Sequence, residues 1–473
     1  MSAMLPDIRM FARASVLALL GVAIALALAV AALATPVAAR AADYVPGQVV
    51  VGYTPGPVGS AARALANRMG IRAAAAPAPS ANVMKLPGGV TVRQALTRLR
   101  RQPGVAYAVP NYIARAAGSF IPNDPGRAGR PGGWEAMQWN FLPTDGVNAP
   151  GAWANLIADG HPGGRGAVVA ILDTGVAYRS WHQFKESPDF RGTRFVHPYD
   201  FVAGNRYPLD RNGHGTFVAG TVAEATNNHV GLTGLAYGAS IMPVRILDSG
   251  GLGDASTIAR GIRYAANNGA NVINLSLEFG FGITASDIPD IISAIEYAHR
   301  RGVVVVAAAG NEGADQLAYP AADPVSISVG ATTSDRCLAE YSNGGNKLDL
   351  VAPGGGDDAQ LPTDPDCHPS PTQNLSSISQ MTLTDAPRSW SRFGYPSGIY
   401  GTSMAAPHVS AAAALVIASG VLGRHPSPAQ VLRRLELTAK PLGGSQPNAS
   451  YGYGLLDAGA ATAPIASAAG KRR

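Results

Sequence analysis

Cysteine is nearly missing from this chain of 473 residues: Cys337 and Cys367 stand alone, too few for a disulfide scaffold or a zinc ribbon. Charge is scarce as well, at 14% of residues, which sets the chain apart from solvated disordered tails. Beyond residue 34 no segment reads as long and apolar enough to cross a membrane. What is abundant is glycine (56), proline (36) and hydrophobic residues (47%). So much glycine and proline excludes a coiled coil, and the length accommodates two to four domains of roughly 100–200 residues with a large buried core.

The net charge of +6 points at first to an acidic partner such as nucleic acid. Its distribution says otherwise. Residues 1–39 hold Arg9, Arg13 and one acid, Asp7; residues 40–115 hold ten basic residues and one acid, Asp43; residues 116–473 hold 25 basic and 29 acidic residues. The excess of +9 belongs to the second segment, whereas the long remainder is −4. Nucleic acid is therefore excluded as a partner of the main body.

The first segment, residues 1–41, has the form of a secretion signal: Arg9 and Arg13, an uninterrupted apolar run over 16–34, then Pro36 and small residues. Ala39-Arg40-Ala41 and Val37-Ala38-Ala39 both fit a cleavage site, and the alternative is an uncleaved anchor, the only membrane contact expected. The second segment, 42–117, alternates strand and helix patterns: strands over 48–53, 83–86 and 105–109, helices over 61–69 and 92–99, and an Ala- and Pro-rich loop over 73–81. A small α+β unit follows. From residue 118 onward, apolar runs at 168–172, 240–247, 272–275, 303–307 and 326–329 suit strands buried on both faces. Helical patterns over 217–224, 255–267 and 288–300 lie between them, so the expected fold class is α/β, a mainly parallel sheet with helices on both faces. Residues 464–473 end in Lys471-Arg472-Arg473 and read as a disordered tail.

Three short stretches carry chemistry. Asp173 ends the first buried strand in Leu172-Asp173-Thr174-Gly175. His214 sits at a helix start in Asn212-Gly213-His214-Gly215-Thr216, and Ser403 at another in Gly401-Thr402-Ser403-Met404-Ala405-Ala406-Pro407-His408, with Pro407 expected in the first turn. Singly, these are a helix cap, a turn histidine and a generic helix start. Together they supply a weak hydroxyl nucleophile, a base to take its proton, and an acid to hold the base's tautomer. The order Asp, His, Ser with glycine flanks on all three is far more specific than any one of them.

With those motifs the chain resembles the subtilase family of subtilisin-like serine peptidases over about residues 120–460. The resemblance implies a subtilisin-like fold in which Asp173 orients the imidazole, His214 is general base and then acid, and Ser403 is the nucleophile. Asn311, in Ala308-Ala309-Gly310-Asn311-Glu312-Gly313, matches the family's oxyanion asparagine. Extended peptide would bind between strand edges at Gly251-Leu252-Gly253 and Ser276-Leu277-Glu278, with Ala308-Ala309-Gly310 walling the primary pocket. Two positions depart from the pattern. Phe217 replaces a common histidine, a packing change. Glu278 stands where glycine is usual, which implies an acidic rim favouring basic or polar residues near the cleaved bond, unless the side chain points to solvent.

Residues 42–117 resemble the family's inhibitor-like, ferredoxin-like propeptide, which implies autoprocessing of a secreted precursor between Tyr112 and Asn123 and an intramolecular inhibitor held to the −4 domain by its +9 charge. The catalytic domain is expected over 118–463. Asp124, Asp189, Asn228 and the Val230 carbonyl match a structural calcium site, a set of hard oxygens suited to Ca²⁺; the alternative is separate turn caps. In an exported protein Cys337 and Cys367 are expected to form one disulfide, which closes a loop of about 30 residues and stabilises by roughly 3–4 kcal/mol. Peptides and proteins are the expected substrates, catalysis needs no cofactor, and a monomer is expected. An inactive homologue serving as a binding module is disfavoured because every catalytic position is filled. A peptide ligase is the alternative among enzymes.

Overall fold

A computed structural model describes residues 44–53, 64, 72–73, 82–87, 89–112, 120–361, 364–367, 369 and 377–465. The segment read as a signal, most of the helix expected over 61–69 and of the loop over 73–81, and the tail past Ile465 lie outside the described residues. The chain divides into two compact units between Ala117 and Gly118.

In the first unit, four strands, β1 (Tyr44–Tyr53), β2 (Arg72–Ala73), β3 (Asn82–Lys85) and β4 (Val105–Tyr112), form an antiparallel sheet in the order β2-β3-β1-β4. Pro46-Gly47 does not precede the first strand but lies within it, where the pairing register shifts between Tyr44 and Val49. Helix α1 (Val92–Leu99) starts with a capping box: Thr91 Oγ1 accepts from Gln94 N at 3.3 Å while Thr91 N donates to Gln94 Oε1 at 3.0 Å. Its apolar stripe of Val92, Ala95 and Leu99 packs on Val49, Val51, Met84 and Ala108.

The second unit is built on eight strands, all paired in parallel: β5 (Val168–Asp173), β6 (Arg194–Phe195), β7 (Tyr199–Asp200), β8 (Ser240–Arg245), β9 (Val272–Leu275), β10 (Val304–Ala308), β11 (Ser326–Thr332) and β12 (Leu350–Pro353). Their order is β12-β11-β10-β9-β5-β8-β6, with β7 also on β8. Side chains alternate between two cores. Val169 and Ile171 of β5, with Val304 and Val306 of β10, face one cluster, whereas Ala170, Leu172, Val305 and Ala307 face the other. The first cluster holds α2 (Ala149–Ala158), α3 (His214–Ala223) and α6 (Thr402–Ser419); the second holds α4 (Ala255–Asn267) and α5 (Pro289–Arg300). Both faces are covered, which is why the strands read as unbroken apolar runs. After β5 the chain winds to β8 on one side and returns to β9 on the other, so the order reverses at β5, whose last residue is Asp173.

Helix α6 amends the reading that no later segment could span a membrane. Its 18 residues are long and apolar enough, but 14 of them are buried, ten within the first cluster, so it is a core helix. Pro407 also stands six residues into α6, not in its first turn. The histidine of the Ser motif, His408, belongs to this core. Burial pushes the His408 pKa down to about 4, and the neutral ring donates from Nδ1 to Met404 O at 2.9 Å and accepts at Nε2 from Asn140 Nδ2 at 2.8 Å. Cys337 and Cys367 form a disulfide across a separation of 30 residues.

Candidate active site

Asp173 is fully buried at the carboxyl end of β5, the place where a reversal of strand order opens a crevice. Its Oδ1 accepts from Thr174 N at 2.7 Å. His214 Nδ1 lies 2.8 Å from Oδ1 and 3.0 Å from Oδ2. Burial alone would lower the imidazole pKa; the charge and hydrogen bond of Asp173, with Asp210 behind it, outweigh burial and hold it above the ordinary value.

The histidine loop is organised by Asp210, a residue the sequence reading passed over. Its carboxylate accepts from Thr174 Oγ1 (2.9 Å), Asn212 N (2.9 Å), Gly213 N (3.0 Å), Thr216 N (2.9 Å) and Thr216 Oγ1 (2.6 Å). The two motif glycines follow from this close packing. A Cβ on Gly215 would sit 2.1 Å from Gly175 O, and Gly175 itself has φ +106°.

Ser403 is the second residue of α6. Its Oγ donates to Ser276 O at 3.2 Å; among the described residues no hydrogen bond joins it to His214, although both side chains line one cleft of about 450 Å³. Pro407 has a part in this geometry. Lacking an N–H, it leaves Ser403 O without its helical donor, and Ser276 Oγ takes that carbonyl at 2.8 Å. Ser276 is held in turn by Asn274 Nδ2 at 2.9 Å, and Asn274 Oδ1 by Ser410 Oγ at 2.8 Å. Two reciprocal bonds thus pin the residue just after β9 to the nucleophile's turn.

Gly251, Leu252 and Gly253 line the same cleft, as do Ser276, Leu277 and Glu278. Leu252 is 73% exposed, free for a peptide to cover. Ala308, Ala309 and Gly310 do not line this cavity; they are buried at the end of β10 behind it. Asn311, just beyond, turns its Oδ1 to Thr402 N (2.9 Å) and Thr402 Oγ1 (3.0 Å). Its Nδ2 and backbone N–H both point at Glu278, 3.1 Å from Oε1 and 3.0 Å from Oε2. The Asn311 loop hangs on Asn343, whose Oδ1 accepts from Glu312 N at 3.0 Å and Ala314 N at 2.9 Å. A Cβ on Gly310 would fall 2.1 Å from Asn343 Nδ2.

Asp124, Asp189, Asn228 and Val230 come together away from the cleft. Asp124 accepts from Asn227 N (2.8 Å) and Asn228 N (3.2 Å); Asp189 accepts from Asn228 Nδ2 (3.0 Å) and Leu232 N (2.7 Å); and Val230 N donates to Asn228 Oδ1 at 2.7 Å. Burial pushes Asp124 up to about 6 and Asp189 up to about 8. The sequence reading missed Glu224, which is fully buried; burial and then the charge of Asp189 push its pKa well up, against a backbone hydrogen bond from Met381. Among the described residues no three His, Cys, Asp or Glu side chains converge as metal ligands. The group instead offers two carboxylates, an amide and a carbonyl, with unneutralised buried acid beside them. That chemistry fits a hard divalent cation.

Known proteins agree with this architecture. The model of the subtilase family, Peptidase_S8, matches residues 164–454, and that of the fervidolysin N-terminal prodomain matches residues 31–111. The chain belongs to the subtilase family: it is a subtilisin-like serine protease that carries a prodomain. Thermophilic serine proteinase of Bacillus sp. (strain AK1) is 34% identical over 371 residues, 78% of this chain and 76% of that one. Thermitase of Thermoactinomyces vulgaris is 36% identical over 305 residues, 64% of this chain and 87% of that one. Among solved structures, a protease from Pseudoalteromonas arctica PAMC 21717 superposes with a TM-score of 0.56 at 29% identity, covering 72% of this chain and 99% of that one.

Proposed function

We propose that the protein is a secreted serine endopeptidase that hydrolyses peptide bonds through an acyl-enzyme and matures by cutting its own precursor. The observation that carries this reading is the Asp173–His214 pair opening on the same cleft as Ser403. In the reaction His214 Nε2 takes the Ser403 proton as Oγ attacks the scissile carbonyl, and Asp173 holds the proton on Nδ1 and stabilises the imidazolium. The oxyanion that forms is held by Ser403 N–H and Asn311 Nδ2. His214 then gives its proton to the leaving amine, and water repeats the cycle on the ester. Peptide lies extended against 251–253 and 276–278, with Ala308, Ala309 and Gly310 backing the primary pocket.

Residues 1–41 are the export signal, 42–117 the propeptide, 118–463 the catalytic domain and 464–473 a tail. The +9 propeptide serves as an intramolecular inhibitor of the −4 domain, and the mature enzyme is a monomer carrying the Cys337–Cys367 disulfide. A serine-reactive fluorophosphonate tests the catalytic assignment directly. Label is expected on Ser403 of the mature enzyme, and a wild type that stays unlabelled overturns the reading.

Asp124, Asp189, the Asn228 amide and the Val230 carbonyl would hold a structural calcium ion, whose positive charge would relieve the carboxylate burial of this region. At [Ca²⁺] about a hundredfold above Kd, binding stabilises by roughly 2.7 kcal/mol. Chelation is therefore expected to lower Tm by roughly 4 °C, read by scanning calorimetry with and without EGTA. An unchanged Tm counts against the site.

A further inference from the structure

We propose that Glu278 is a specificity-determining gate on the oxyanion donor: its carboxylate holds the Asn311 amide until a basic side chain of the bound peptide draws it away. The inference rests on Asn311 being that donor.

The Asn311 side chain has no free choice of orientation. Thr402 N and Oγ1 fix its oxygen, so its only hydrogen-bond donor is Nδ2, and that nitrogen is given to Glu278 Oε1 at 3.1 Å. Glu278 Oε2 takes the backbone N–H of the same residue at 3.0 Å. A carboxylate gripping two N–H groups of one residue is a charge-assisted pair, stronger than a neutral hydrogen bond. Glu278 also lines the cleft that holds His214 and Ser403. An anion belonging to the enzyme thus lies on the group that a substrate oxyanion needs. Nδ2 carries a second hydrogen, but turning it to the substrate does not remove the difficulty. A carboxylate charge about 3 Å from the amide opposes negative charge developing on the far side of it.

The rim is short of positive charge. Glu312 Oε2 accepts from the same Asn311 N–H at 3.1 Å and from Asn343 Nδ2 at 2.6 Å. Among the described residues neither Glu278 nor Glu312 forms an ion pair with Lys or Arg. Burial raises the Glu278 pKa, the Asn311 hydrogen bonds lower it and Glu312 raises it. The complement of such a rim is a cation. A lysine or arginine near the scissile bond gives the Glu278 carboxylate a partner of opposite charge and frees Nδ2. A neutral side chain leaves the carboxylate in place. Because the cost falls where charge develops, the preference should appear in kcat more than in KM.

Simple attraction of basic peptides differs from gating in what happens to neutral ones. The test uses the processed enzyme, active-site titrated, with peptide pairs carrying lysine or norleucine at each of the four positions before the scissile bond. The wild type is expected to favour lysine at one of these positions about tenfold in kcat. Glu278→Gly is expected to raise kcat for the norleucine peptide about tenfold and to bring the pair within about twofold; Glu278→Gln, which loses the charge but keeps an acceptor, should lie between. In an Asn311→Ala background, slow in itself, the Glu278 substitutions are expected to change the norleucine kcat less than twofold. The gate is overturned if both Glu278 variants leave norleucine turnover unchanged, or raise it equally without Asn311. Full activity of Asn311→Ala alone would instead remove the oxyanion reading beneath it.

Discussion

Ser403→Ala is expected to give a chain that folds, keeps its prodomain and turns over peptide about 10⁶-fold more slowly. That magnitude is the one known for removing the serine of subtilisin itself, about 2 × 10⁶ in kcat, and so belongs to a relative rather than to this chain. The loss cannot be laid to unfolding. The Ser403 hydroxyl makes one hydrogen bond, 3.2 Å to Ser276 O, worth at most about 1 kcal/mol net, and alanine is well suited to the first turn of a helix. Helix α6 is held by 14 buried residues that the substitution leaves alone. Without Oγ nothing remains for His214 to activate, and the same chemistry that cuts substrate would cut the precursor. Intact mass should therefore show the variant as uncleaved precursor over a period in which the wild type has fully converted, with Tm unchanged within a few degrees. A variant that matures on the same schedule would mean that another protease, or another nucleophile, does the cutting.

The residues that react were legible in the sequence, and the residues that hold them were not. Asp173, His214 and Ser403 announce themselves because each needs glycine beside it, at Gly175, Gly215 and Gly401, where backbone or side chains crowd any Cβ or φ is positive. Asp210 and Asn343, which hold the His214 and Asn311 loops, are ordinary loop residues until strands far apart in sequence are laid side by side, and Ser276, legible as a strand edge, shows its hold on Ser403 only then. Five strands buried on both faces read as apolar runs, but the four-residue β12, just as buried, does not stand out, and two-residue strands such as β6 and β7 have no period to detect. Helix α2 begins Ala149-Pro150-Gly151, which reads as a turn. Pro407 misleads for a related reason: the donor it cannot give to Ser403 O is supplied by Ser276, 127 residues before Ser403 in sequence. Glu278 could be flagged as an acid where glycine is usual. That it grips Asn311, 33 residues later, depends on β9 and β10 being neighbours.

Asp173→Asn separates the orienting role of this carboxylate from a merely structural one. Thr174 N donates to Oδ1 at 2.7 Å and fixes that end of the side chain as an acceptor. An asparagine would keep its oxygen there and turn its NH₂ to where Oδ2 now lies, 3.0 Å from His214 Nδ1. That donor competes with the retained oxygen, 2.8 Å from Nδ1, and draws the imidazole proton toward Nε2, the nitrogen that must be bare to accept from Ser403. The expected loss is roughly 10⁴ in kcat. A second readout moves independently of the first. In the wild type, burial lowers the His214 pKa but the Asp173 charge and hydrogen bond, with Asp210, raise it above the ordinary value. Because the base works only when neutral, wild-type kcat/KM should rise with pH through that elevated pKa. Removing the Asp173 charge leaves burial opposed by Asp210 alone, so the imidazolium is destabilised and the acid limb moves to lower pH. The measurement is kcat/KM against pH on protein whose prodomain has been removed by immobilised wild-type enzyme. A tenfold loss with an unmoved limb would assign Asp173 to the scaffold. A large loss with the limb displaced downward ties it to both the tautomer and the charge of the base, since packing damage alone has no means of shifting a titration in that direction.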